Sequence, residues 1–287
     1  MAIDYERLKN WKIPVIETSY THKDTMLYAI AVGLGSDPVN AQQLRFVYEN
    51  ELKVLPTMAT ILGHPGLWIQ DPAAGVTWQQ VLHGEQSIEI HEPLAPAGHV
   101  AGRTWVDEIV DKGREKGALI YQHRTLTDVA TGRILCTLVS SIFCRADGGF
   151  GGPPRAAVPP HPVPAREPDV LCDLPTLPQS ALLYRLNGDF SPGHVDPEAA
   201  RNAGFERPIL HGLCTFGTAG HALLKSICDY EPERVRKIAA RFSSPVYPGE
   251  TIRTEIWRDS PNRASFRCRV SGRETVVLNN GLFEHDD

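Results

Sequence analysis

A proline-rich segment divides the chain into two halves of similar length. Residues 148–169 read GGFGGPPRAAVPPHPVPAREPD. Proline fixes φ and lacks the backbone donor that a sheet centre or a helix interior requires. We therefore predict an extended linker at 153–168, an N-terminal domain at 1–152 and a C-terminal domain at 169–287. A chain of 287 residues, 42% of them hydrophobic, can supply two cores of ordinary size.

The two halves share an ordered set of motifs. Residues 89–106 (EIHEPLAPAGHVAGRTWV) and 241–257 (RFSSPVYPGETIRTEIW) each give Pro-apolar-x-Pro, then Gly, then an alternating run that ends in Trp. Further alternating runs follow in both halves, which is typical of half-buried antiparallel strands. The shared order favours an internal duplication.

Two segments have the pattern of helices. Residues 23–35 place apolar side chains at helical spacing, and residues 208–228 are apolar on nearly every side. The small residues Gly217, Ala219 and Gly220 allow another backbone to approach the second helix closely. A buried helix wrapped by a curved antiparallel sheet predicts an α+β fold.

Charge and cysteine content exclude several classes of partner. The net charge is −5, so no nucleic-acid tract or polybasic membrane patch is expected. The six cysteines have no CxxC spacing, and no stretch reaches the length of a membrane-spanning helix. The chain starts without an apolar leader and ends EHDD rather than in an SKL-type signal, so the cytosol is the expected compartment.

The residues with the clearest chemistry lie in one stretch. Residues 184–217 read YRLNGDFSPGHVDPEAARNAGFERPILHGLCTFG. Asp189 follows a glycine, His194 comes five residues later, and the pair His211-Gly212 begins the apolar helix. A carboxylate, an imidazole and a helix N-terminus are the groups needed to position a water beside a polarised carbonyl. Asp196, followed by Pro197, is expected to cap a separate helix.

This stretch resembles the signature of the MaoC-like, or R-specific, enoyl-CoA hydratases, called 2-enoyl-CoA hydratase 2 in eukaryotes. The resemblance extends over nearly the whole chain, through LYAIAVG (27–33), FVYE (46–49), VLHGEQ (81–86), GGFGG (148–152) and PVYPGET (245–251). It implies a double hot-dog fold, in which two sheets each wrap around a central helix as a pseudo-dimer. It also implies reversible hydration of trans-2-enoyl-CoA to (3R)-3-hydroxyacyl-CoA.

The resemblance implies a role for three residues in particular. Asp189 and His194 match the catalytic pair, with Asp189 as the principal base, and Gly212 matches the backbone donor to the thioester oxygen. Where the family usually has Asn-Pro-Leu/Ile-His, this chain has Ser-Pro-Gly-His at 191–194. That departure bears on rate or substrate range more than on reaction type.

Other candidates carry weaker signals. Glu49 matches a glutamate suspected of a catalytic role, although a buried carboxylate that supports the fold or lines the site is an equal alternative. Tyr28, Tyr184 and His211 match positions near the site, and each type is common in cores. Arg185, Lys237 and Arg241 are possible contacts for the CoA phosphates, with a solvated surface charge as the alternative for each.

The first half lacks the catalytic segment, so one active site per chain is expected. In related proteins the corresponding half has a reduced central helix that opens space for long or bulky acyl groups, and residues 55–63 (LPTMATILG) match that helix. We expect an acyl-CoA substrate, no metal, no redox cofactor and possible homodimerisation. The alternatives are an acyl-CoA thioesterase and a non-catalytic acyl-CoA-binding subunit.

Overall fold

The computed structural model describes residues 3–153 and 159–287. Residues 154–158 of the predicted linker lie outside the described residues, and 159–169 contain neither helix nor strand. The domain boundaries therefore stay predictions. None of the helices in the described ranges is long and apolar enough to cross a membrane.

The first half contains five strands and three short α-helices among its described residues. Its elements are α1 (Tyr5–Lys9), β1 (Ile16–Tyr20), α2 (His22–Ala31), α3 (Ala41–Leu44), β2 (Val81–Ile90), β3 (Gly98–Asp111), β4 (Ala118–Asp128) and β5 (Ile134–Cys144). Short 3₁₀ turns lie between α3 and β2, at Pro56–Thr60, Trp68–Gln70, Pro72–Ala74 and Trp78–Gln80.

The second half repeats the five strands around a much longer helix. Its elements are β6 (Val170–Pro175), α4 (Ser180–Tyr184), α5 (Pro197–Asn202), α6 (Gly212–Ile227), β7 (Val235–Phe242), β8 (Thr251–Ser260), β9 (Arg263–Val270) and β10 (Thr275–His285). Its 3₁₀ turns are at Arg185–Asn187, Pro192–His194 and Pro232–Arg234.

In the described ranges all ten strands form one continuous antiparallel sheet. The order is β1-β3-β4-β5-β2-β7-β10-β9-β8-β6, so the halves join through the pairing of β2 with β7. Each half has the same internal order, read outward from the junction. The predicted pair of sheets is therefore present, fused at one edge.

The central helix differs sharply between the halves. In the second half α6 has 16 residues and contacts β6, β7, β8 and β10. In the first half the matching position holds only the 3₁₀ turn Pro56–Thr60, which is wholly buried and contacts both α6 and β2. The reduced helix expected from LPTMATILG is confirmed.

Glycines let α6 approach the first half closely, as the sequence predicted. A Cβ at Gly220 would lie 2.6 Å from the Thr57 side chain, and one at Gly217 would lie 2.7 Å from Val32. Both are closer than real Cβ contacts allow. The α6 backbone thus packs directly against the Thr57 side chain of the 3₁₀ turn and the Val32 side chain at the end of α2, which fixes α6 against the first half.

A second close approach fixes the 3₁₀ turn against the sheet of the first half. Gly63 has φ of +56°, and a Cβ there would lie 2.6 Å from the Cα of Gly102 in β3. A Cβ on Gly102 would in turn overlap the carbonyl oxygen of Gly63. Since backbone, unlike a flexible side chain, cannot swing aside, position 102 requires glycine.

We expect Gly102→Ala to lower the free energy of unfolding by about 3 kcal/mol, because the new methyl group forces two backbone segments apart. Chemical denaturation of both proteins measures the difference. Gly193→Ala is the matched control, since a Cβ there meets nothing within 4 Å and its φ lies outside the left-handed region. Its effect should stay within about 0.5 kcal/mol. Equal stability of Gly102→Ala and the wild type would contradict the packing described here.

Candidate active site

The turn before Asp189 aims its carboxylate outward from the second half. Gly188 has φ of +109°, a conformation that favours glycine, and it ends the turn Arg185–Asn187. The backbone N–H of Ser191 donates to Asp189 Oδ1 at 3.1 Å. One carboxylate oxygen is thereby held, and no described contact occupies Oδ2.

A hydrogen bond from the ring of His194 to the backbone fixes its tautomer. Nδ1 lies 2.9 Å from the carbonyl oxygen of Ile209. Because a carbonyl only accepts, Nδ1 carries the hydrogen and donates it. The Nε2 lone pair of the neutral ring is then available to a ligand.

His211 is buried beneath His194. The two rings stack with centroids 3.7 Å apart and planes 28° apart. His211 Nε2–H donates to the backbone carbonyl of Asp189 at 3.2 Å, which ties the start of α6 to the Asp189 turn. Burial, and next the charge of His194, lower the pKa of His211 to about 4. Near neutral pH the ring of His211 is therefore uncharged.

Asp189, His194 and His211 form a compact cluster. One carboxylate oxygen and one nitrogen from each ring lie within 4.8 Å of one another, with Asp189 partly exposed, His194 half-buried and His211 buried. This spacing would suit a small metal ion, and it would equally suit a water held between Asp189 and His194. The absence of a metal stays a prediction.

Gly212 is the first residue of α6 and lies next to this cluster. Within the described residues no hydrogen bond is recorded from its N–H to an acceptor of the chain. The first N–H groups of a helix lack intrahelical partners and carry the positive end of its dipole. A Cβ at position 212 would lie 3.2 Å from the Phe242 ring, so glycine also keeps the approach to this N–H open.

Two buried tyrosines extend the ring stack behind His211. The Tyr184 ring lies 5.0 Å from that of His211, and the Tyr28 ring lies 6.1 Å from that of Tyr184. Burial raises the pKa of both phenols well above the usual value, so both stay protonated. Their positions support the stack, and α2 reaches the site through them.

The structure does not bring Glu49 to the cluster. Glu49 is exposed in the loop after α3, whose Arg45 and Lys53 form ion pairs with Glu231 just beyond the C-terminal end of α6. A helix of 16 residues is about 24 Å long, and Gly212 is at its other end. A role at the site therefore has no geometric support, and the alternative of a buried carboxylate is wrong because Glu49 is exposed.

Among the possible CoA contacts, only Arg185 lies beside the cluster. Its guanidinium is 5.0 Å from the centre of the exposed Phe190 ring, and its charge contributes to the low pKa of His211. Lys237 and Arg241 lie on the outer face of the sheet, because in β7 it is Ile238, Ala240 and Phe242 that face inward. Arg241 is already paired with Glu85 at 2.8 Å. For these two residues the alternative of a surface charge fits better.

The departure at Ser191 leaves the turn intact. What Ser191 contributes is its backbone N–H to Asp189 and its carbonyl to His194 N, neither of which needs an asparagine side chain. Asp196 caps α5 as predicted, accepting hydrogen bonds from the N–H groups of Glu198 and Ala199.

Sequence reasoning missed two contacts of the site. Ile209 acts through its backbone carbonyl, which no side-chain pattern reveals. Phe242 lies against Gly212 on one side and contacts His83 from β2 on the other, with ring centroids 4.7 Å apart. Phe242 lies in the motif RFSSPVYPGET (241–251), which the two halves share. That position could have indicated an aromatic side chain facing inward.

Comparison with known proteins decides the family. The MaoC like domain matches residues 160–280, and the MFE-2 hydratase 2 N-terminal domain matches residues 18–146. The 3-hydroxyacyl-thioester dehydratase Y of Mycobacterium tuberculosis is 40% identical over 295 residues, covering 99% of each chain. The chain belongs to the MaoC-like hydratase 2 family.

Two further comparisons extend this result. The enoyl-CoA hydratase ChsH3 of Mycobacterium tuberculosis is 39% identical and covers 97% of both chains. The crystal structure of a MaoC-like dehydratase from Phytophthora capsici matches with a TM-score of 0.86 and 33% identity over 98% of each chain. The predicted fold class and the family resemblance are both confirmed, and Asp189, His194 and Gly212 fall within the region of the MaoC like domain.

Proposed function

We propose that this protein is a hydro-lyase that adds water to trans-2-enoyl-CoA thioesters, and removes it in reverse, to give (3R)-3-hydroxyacyl-CoA. The observation that carries the proposal is the cluster of Asp189, His194 and His211, whose ligand atoms lie within 4.8 Å of one another, with Gly212 directly after His211 at the start of α6. Relatives named as enoyl-CoA hydratase and 3-hydroxyacyl-thioester dehydratase over their full length support it.

Asp189 and His194 would act on one water. His194 Nε2 accepts a hydrogen bond from it, and Asp189 removes a proton as the oxygen attacks the β-carbon. Asp189 then delivers that proton to the α-carbon, so that HO and H add to the same face of the double bond. Positioned acid–base groups of this kind contribute about 10²–10⁴-fold in rate.

The Gly212 N–H would stabilise the intermediate charge. As the water oxygen attacks, negative charge accumulates on the thioester oxygen, and a helix N-terminus with a free donor favours it. His211 links the two parts of this geometry. It directly precedes Gly212 in the chain, and its ring is hydrogen-bonded to the backbone carbonyl of Asp189.

The test is an assay with crotonyl-CoA or a longer enoyl-CoA. We expect the conjugated absorbance to disappear without release of free CoA, the product to be the 3R enantiomer, and a chelator to have no effect. Free thiol would identify a thioesterase, and a 3S product would contradict the assigned geometry. Binding of enoyl-CoA without turnover would identify a non-catalytic subunit.

The CoA contact, the cellular compartment and the oligomeric state are also proposals. The chemistry uses an acyl-CoA substrate and requires no redox cofactor. Arg185, beside the cluster, is the proposed contact for a CoA phosphate. All six cysteines are free and buried, which supports a reducing compartment such as the cytosol. Homodimerisation stays a prediction, which light scattering in solution would test.

A further inference from the structure

The first half contains a cavity in the place where its central helix is reduced. The cavity has a volume of about 120 Å³ and lies between the inner face of the sheet and the loop that contains His64. Its lining includes apolar side chains such as Leu138 and Ile142. A cavity for a plain hydrocarbon would be apolar throughout, and this one is not.

Two buried polar groups beside this cavity have no partner. Arg124 Nε and Thr104 Oγ1 are both inaccessible to solvent and make no hydrogen bond within the described residues. The two residues are paired across β3 and β4, so their side chains share the inner face of the sheet, and both are at most 7% exposed. Unpaired buried polar groups are costly, so two on one face beside a cavity indicate a ligand that satisfies them.

The charge of the cavity is positive. Arg124 donates through one terminal nitrogen to the backbone carbonyls of Ala59 and Thr60, yet no acidic residue is among those that line the cavity in the described structure. Burial lowers the pKa of Arg124 to about 10. The cation therefore remains charged near neutral pH, with no carboxylate to neutralise it.

Two histidines also line the cavity. His64 accepts a hydrogen bond from the Gly66 N–H at Nδ1, so Nε2 carries its hydrogen as a donor. Desolvation, with the charge of Arg124 as a further cause, lowers the pKa of His64 to about 3 and of His83 to about 4. Both rings are therefore uncharged near neutral pH, and the positive charge of the cavity lining is that of Arg124.

The cavity lies next to the active site. His83 lines it and contacts Phe242, the same ring that lies against Gly212. Asp189 is close enough to both His64 and His83 for its charge to raise their pKa values. Phe242 and His83 therefore lie between Gly212 and the cavity.

We propose that the cavity receives the far end of the acyl chain and selects substrates that end in a carboxylate, so that the preferred thioesters are mono-CoA derivatives of 2-unsaturated dicarboxylic acids. This inference rests on the proposed hydratase activity and names its substrate class. The carboxylate would accept hydrogen bonds from Arg124 Nε and from the hydroxyl group of Thr104. It would also neutralise the buried guanidinium.

The decisive experiment compares three series of trans-2-enoyl-CoA substrates of matched length, ending in methyl, hydroxyl or carboxylate. We expect one length at which the carboxylate series has a kcat/KM about tenfold or more above the methyl series, as for hydrogen bonds to a charged group. Equal values for methyl and carboxylate ends at every length would overturn the inference, as would a preference for hydroxyl over carboxylate. Failure to hydrate any of the three, crotonyl-CoA included, would instead refute the proposed function.

Variants locate the selectivity in the cavity. We expect Arg124→Gln to reduce the carboxylate-to-methyl ratio of kcat/KM to near one. Arg124 also binds two backbone carbonyls, so Thr104→Val, which removes the unpaired hydroxyl and keeps the side-chain shape, is the second variant and should lower the ratio severalfold. Arg103→Gln on the exposed face of β3 is the matched control and should leave the ratio unchanged. A ratio that is unaffected in folded Arg124→Gln and in Thr104→Val would overturn the inference.

Discussion

Asp189→Asn should lower kcat/KM for enoyl-CoA hydration about 10³-fold. The substitution keeps the size of the side chain, and an amide oxygen still accepts the hydrogen bond from Ser191 N–H. The turn should therefore survive, while the base that removes the proton from water is lost. Steady-state hydration of crotonyl-CoA, with circular dichroism to verify folding, measures the effect.

Asp196→Asn is the matched control for this prediction. It makes the same chemical change seven positions away, at the residue that caps α5. Asparagine is as good a helix cap as aspartate, so stability and activity should both stay near the wild type. If folded Asp189→Asn retains the turnover of this control, Asp189 is not the base.

His194→Ala should lower kcat/KM about 10²–10³-fold. The substitution removes the Nε2 acceptor for the water and leaves Asp189 to position it alone. It also removes the donor to the Ile209 carbonyl and the ring stacked on His211. Initial rates with the same substrate, compared with those of the wild type, measure the loss.

The exposed His99 supplies the control for this second substitution. His99 lies on β3, where it pairs with Glu17, and its removal should leave the rate unchanged. Thermal unfolding of both variants separates a catalytic effect from a loss of folded protein. A His194→Ala protein that is folded and turns over like the His99→Ala protein would remove His194 from the mechanism.

Local patterns predicted most of the fold and the centre of the site. The apolar run 208–228 predicted the buried helix, and the alternating runs predicted the strands of both halves. Asp189, His194 and Gly212 lie within 24 residues of one another, so local sequence sufficed to bring them together. The fusion of the two sheets was harder to predict from sequence, because β2 and β7 are distant in sequence and no local pattern shows that they pair.

Single residues outside the motif were harder to place. Lys237 and Arg241 looked suited to phosphate, but strand alternation puts them on the outer face. Strand alternation could also have predicted the burial of Arg124. In ALIYQHRTLTD (118–128) it shares a face with the buried residues Ile120 and Leu126. A charged residue at a core position indicates a buried cation, although only the fold shows which cavity it lines.

The fusion of two hot-dog units at the β2–β7 edge has an evolutionary consequence. In a dimer of identical subunits, any mutation that shortens one central helix shortens the other, and both catalytic centres are lost together. Once both copies are encoded in tandem, selection can preserve chemistry in one copy while the other drifts toward a new specificity. The short turn at Pro56–Thr60 opposite the full-length α6 is the asymmetry that such divided labour would produce.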